Sequence, residues 1–153
     1  MQSTEILRRM LASLAYRTRH AINEAPIGFD EFEAGMSTRT PLEILNHING
    51  ILGWTKDLYL ENKPTPSEEL SWMEAVEKFH QRLKNLDEAF VASDSPDDET
   101  MLRIVHGPLC DALTHVGQLL SLRRLFGAPV PSANYFQAEI ENGKLDRDQP
   151  VPA

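Results

Sequence analysis

Apolar residues recur along this chain at spacings of three and four, the period of one helical face, in four separate blocks. The first runs from Thr4 to about Asn23, where Leu7, Met10, Leu11 and Leu14 form a stripe and Arg8, Arg9, Arg17 and Arg19 fall mostly off it. The second opens with Thr40-Pro41-Leu42-Glu43, which offers a capping hydroxyl, a proline at the first helical position and a glutamate able to reach back to the free backbone N–H. Ile44, Ile48, Ile51, Leu52 and Leu58 then form its inward stripe. A like signal at Thr65-Pro66-Ser67-Glu68 predicts the start of a third helix, with Trp72, Val76, Phe79, Leu83, Leu86 and Phe90 as its packing seam.

The stretch from Ser93 to Glu99 breaks the period with proline and serine, and Asp97, Asp98 and Glu99 suit the positive end of a short helix reaching about Val105. Gly107-Pro108 predicts a break or kink. Leu109, Leu113, Val116 and Leu120 carry the last helix onward to Gly127, which with Pro129 stops it. Residues 25–39 hold Pro26, Gly28 and Gly35 without a sustained period and predict a long loop suited to covering something. No segment reads as a strand and no repeat is present. The expected fold is all-α: an up-and-down four-helix bundle over residues 1–127, with an irregular tail, 128–153, packing on or near it.

At 153 residues the chain is long enough to fold as one domain by packing alone. Charge narrows the partners: 15 Lys and Arg against 23 Asp and Glu give a net charge of −8, which repels nucleic acid and anionic membranes. No run approaches the roughly 18 apolar residues of a membrane span. The single cysteine, Cys110, has no disulfide partner, and the N-terminal stretch lacks the apolar core and cleavage site of a secretory signal, so the expected location is cytoplasmic.

Candidate chemistry concentrates in DALTHVGQLLSLRRLFGAPVP, residues 111–131. Asp111 and His115 lie one helical turn apart and project from one face, so a carboxylate and an imidazole can converge on one ion. His47 lies on the apolar stripe of the second helix and adds a third donor. Two nitrogens and one carboxylate leave an open position on zinc, nickel, iron or manganese, which is the arrangement of chemistry rather than of a structural site. The plain alternative is that the histidines are packed core residues and that Asp111 pairs with Arg123, Arg124 or a backbone group.

The residues RTPLEILNHINGILGW (39–54) and 111–131, followed by NYF (134–136), resemble the DinB/YfiT-like superfamily of metal-dependent four-helix proteins over most of the chain. That family carries a histidine in its second helix and an H-x-x-x-H-x-G-Q motif in its last long helix. The match places His47 on the first and His115 on the histidine of His115-Val116-Gly117-Gln118, while Asp111 stands where the motif has its first histidine. The resemblance implies a divalent metal site, zinc or nickel foremost, and an enzyme that activates a low-molecular-weight thiol, or water, against a small-molecule substrate.

Gln118 is a candidate for orienting a ligand or a bound cofactor. Of the pair Arg123 and Arg124, one complements the helix dipole and the other, Arg123, is the candidate for holding an anionic group. His106 is a candidate rim ligand, Trp54 a candidate pocket wall, His80 and His20 boundary residues, and Cys110 a small buried thiol. Tyr135 and Phe136 are placed to fold the tail over the bundle mouth. The competing reading is a non-catalytic, dimeric helical module that binds a small ligand in a stress response, with Trp72 and Phe90 at a two-fold interface.

Overall fold

The computed structural model describes residues 3–92 and 97–146. It comprises α1 (Ser3–Asn23), α2 (Pro41–Tyr59), α3 (Trp72–Ala92), α4 (Asp98–Ile104) and α5 (Cys110–Leu125), and a π-helical turn, Val105–Leu109, joins the last two. No strand occurs among the described residues. Because α4, the π turn and α5 run on without a gap, the described residues form an all-α assembly of four helical segments. Expectations that fall on residues 93–96 and 147–153 lie outside the described part.

Helix order differs from the simple up-and-down expectation. Both α1 and α2 pack against α3 and α5, so α1 lies across the bundle from α2, and α3 across from α5. A connection across a bundle needs length, and residues 24–40 supply it. Phe29, fully enclosed, meets Trp72 and Phe126 edge-on at 5.8 and 5.7 Å, and Phe32 meets Phe126 at 5.3 Å. The loop therefore plugs the end of the bundle where α5 finishes. Trp72 is thus engaged within the chain while staying part-exposed, and Phe90 is buried against Tyr59.

Helix ends follow local chemistry. Thr40 and Glu43 form the reciprocal capping box, with the Thr40 N–H donating to Glu43 Oε2 at 2.8 Å and the Glu43 N–H donating to Thr40 Oγ1 at 3.3 Å. The third helix begins at Trp72, not near Thr65. Its cap is Ser71, whose N–H and hydroxyl both donate to Glu74, while the Thr65 N–H donates to Asp57 at 2.7 Å and holds the preceding segment against α2. At the end of α5, Gly127 adopts φ 88°, and the Gly127 and Ala128 N–H groups return to Arg124 and Arg123 carbonyls, the paired bonds of a left-handed helix stop.

Leu11, Leu45, Ile48, Leu52, Phe79, Leu83 and Leu119 are fully enclosed, each contributing about 1.5–3 kcal/mol by removal from water. Two expectations shift. Leu58 is exposed, and Thr55 and Tyr59 take the inward positions near the end of α2. Arg19, expected off the apolar stripe, is only 2 % exposed. The tail runs along α1 and α3 instead of closing the mouth: Tyr135 packs on Tyr16, Asn142 accepts from Arg9, and the Leu145 carbonyl bonds His80, while Phe136 faces solvent. No helix among the described residues is long and apolar enough to cross a membrane.

Three carboxylates hold these turns and caps with ionised oxygens. Asp57 is held below its ordinary value chiefly by the Thr65 N–H, Glu74 by the Ser71 hydroxyl and N–H, and Asp97 by the Thr100 N–H and hydroxyl. A carboxylate depressed in the folded state adds stability above its unfolded pKa, and that stability disappears as pH falls through the folded value. The melting temperature is therefore expected to fall on acidification below about pH 5, less steeply in Asp57→Asn. An equally steep fall in Asp57→Asn would show that the Thr65–Asp57 bond does not contribute to this acid sensitivity.

Candidate metal centre

The helix that carries Asp111 and His115 is aimed by the turn before it. Pro108 has no N–H to continue an α-helical ladder, and the π turn at Val105–Leu109 absorbs this by widening the helix instead of breaking it. One inserted residue rotates everything that follows by about 100°. Asp111 lies two residues beyond, so the turn sets the direction in which both side chains leave α5.

His47 projects from the neighbouring helix, α2, whose start is fixed by the Thr40 cap seven residues earlier. One donor atom from each of His47, Asp111 and His115 falls within 4.8 Å of the others. The imidazoles meet edge to face, with ring centroids 4.6 Å apart. His115 Nε2 lies 3.3 Å from Asp111 Oδ1, close to the roughly 3.4 Å that separates two ligands of a tetrahedral ion held at about 2.1 Å. His115 Nδ1 donates to Gln118 Oε1 at 2.8 Å. With the proton at Nδ1, Nε2 faces Asp111 with its lone pair, the arrangement that suits an ion between the two.

The electrostatics keep His47 neutral. Burial first, then the Arg39 charge and His115, hold its pKa below the ordinary imidazole value, and Asp111 offsets part of this. A neutral imidazole is the form that ligates a metal. Asp111 is half exposed and the His115 side chain 12 % exposed, so the donor set is walled by protein on one side and open to solvent on the other. Two imidazoles and a carboxylate fit a divalent transition ion, with room for exogenous ligands.

Gln118 also lines a cavity of about 600 Å³ between α5 and the 34–39 loop. Ile44, Leu122 and Leu125 supply apolar walls, Thr114 and Ser121 hydroxyls, and Arg39 the one ionisable group among the lining residues. Arg39 was not singled out by spacing. Its place just ahead of the Thr40 cap, eight residues before His47, was the available signal.

Other candidates lie elsewhere. Arg123 does not face an anion: it is 6 % exposed, its Nε donates to the Ala128 carbonyl and its Nη1 to the His20 and Ala21 carbonyls, tying the end of α1 to the end of α5. His106 is exposed on the π turn, apart from the cluster. His80 bonds the Leu145 carbonyl and Asn23, and His20 accepts from Arg19. Cys110 is exposed, contrary to the expected buried thiol, and is not part of the donor set. Trp54 is half exposed beside the groove between α2 and α3. Comparison of the chain with protein-family models, curated proteins and solved structures finds no match.

Proposed function

We propose that the chain is a metal-dependent enzyme that binds one divalent transition ion through His47, Asp111 and His115 and acts on a small molecule seated in the adjoining cavity. The observation that carries this reading is the convergence of three donor atoms from two helices within 4.8 Å, beside a cavity that shares Gln118 with them. The likeness of the 39–54 and 111–131 segments to the DinB motifs supports it. When bound there, such an ion lowers the pKa of a thiol or water and makes it a nucleophile near neutral pH. The chain's own residues do the rest. Gln118 orients His115, Ile44 and Leu122 exclude water from the substrate's apolar part, and Arg39 offers a positive charge to an anionic group.

Cobalt(II) substitution tests the thiol reading. Visible absorption of a low-coordinate cobalt site is expected, and a small thiol is expected to add a sulfur-to-cobalt charge-transfer band. Bound cobalt with no such band would exclude thiol activation and leave water. Gln118→Leu is expected to weaken metal affinity by about 10–100-fold while one ion still binds at saturation. Unchanged affinity would show that His115 needs no orienting partner.

A further inference from the structure

Away from the donor set, one face of α1 carries buried donors without acceptors. Both Nη atoms of Arg19 lack a hydrogen-bond partner among the described residues, as does the buried Tyr16 hydroxyl. The Arg19 guanidinium lies 4.4 Å from the centre of the Tyr16 ring, and its Nε donates to His20 Nε2 at 3.2 Å. A guanidinium in this position is costly unless an acceptor reaches it. Burial pulls its pKa below the ordinary value, and the exposed Glu24, 3.6 Å from His20 Nδ1, only partly offsets this.

Tyr16 and His20 also line a cavity of about 230 Å³ between α1, α5 and residues 130–135, together with Arg17 and Arg124. No carboxylate lines it, in a chain whose net charge is −8. Arg17 is steadied by stacking over Tyr135 at 3.9 Å. Arg124 is nine residues beyond His115 on α5, which puts it about 180° around the helix, so this cavity is separate from the donor set.

We propose that this cavity binds a small tetrahedral oxyanion, a phosphate or phosphomonoester group, through Arg17 and Arg124, with the buried Tyr16 hydroxyl reached by a small shift of the arginine side chains and Arg19 supplying buried positive charge behind them. Donors arriving from α1 on one side and α5 on the other suit a tetrahedral oxyanion better than a planar carboxylate held from one edge. The site is independent of the metal reading.

Calorimetric titration of chelator-treated protein with inorganic phosphate, at constant ionic strength against chloride, tests it. Saturable binding of one phosphate per chain is expected, weakened at least about tenfold in the Arg17→Ala, Arg124→Ala double variant and retained in His115→Ala. Tyr16→Phe keeps the ring packing and is expected to weaken phosphate binding with the fold intact, which carries the test if the double variant does not fold. Glycerol 3-phosphate binding more tightly than phosphate would identify a phosphomonoester as the ligand; the reverse order would identify the free ion. No saturable binding, binding unchanged in Tyr16→Phe and the double variant, or binding lost in His115→Ala would each overturn the proposal.

Discussion

His115→Ala is expected to lose metal binding almost completely, with affinity falling by well over a hundredfold, beyond the range of changes that act through an orienting partner. His115 is the hinge of the donor set. Its ring meets His47, its Nε2 faces Asp111 and its Nδ1 is held by Gln118, so no neighbour can take its place without moving α5. Competition against a chromophoric chelator measures the loss. Stability without metal should fall by about 1–2 kcal/mol, because the ring is largely enclosed and its loss leaves Gln118 without its partner. Metal held as tightly by the variant as by the parent would place the ion elsewhere.

Arg123→Met is expected to do the opposite, destabilising the fold and leaving the metal site alone. The guanidinium serves three carbonyls, those of His20, Ala21 and Ala128, and methionine can fill the aliphatic volume without serving any of them. Stranding these acceptors costs on the order of 3 kcal/mol, which for a chain of this size lowers the melting temperature by about 10 °C. Thermal unfolding followed by circular dichroism, beside a metal titration, separates the two effects. Lost metal binding with an unchanged melting temperature would return Arg123 to the site.

Much of this was legible in local chemistry. Thr40-Pro41-Leu42-Glu43 names its own helix start because every group needed for the cap lies within four residues, and Gly127 names a helix end because its φ of 88° suits a residue without a side chain. His47, Asp111 and His115 could be brought together on paper because two share a helical face and the third lies on an apolar stripe. What stayed hidden depended on tertiary neighbours. Thr65 and Ser71 both begin a hydroxyl-x-x-glutamate signal, and only the pull of Asp57 on the Thr65 N–H decides that the helix waits for Ser71. The buried Arg123 defeats periodicity because its carbonyl partners at His20 and Ala21 come from packing, and Arg19, whose tyrosine partner lies three residues back on its own helix, because what covers it does. Diagonal helix order likewise depends on where a long loop leads, which a stripe of leucines does not encode.

X-ray absorption at the metal edge, on protein reconstituted with one equivalent of zinc, tests the assignment most directly. The expected spectrum shows one tightly held ion with two imidazole ligands, oxygen neighbours and no sulfur, since Cys110 stands outside the donor set. A sulfur shell, a single imidazole, or zinc that washes out on dialysis would contradict it.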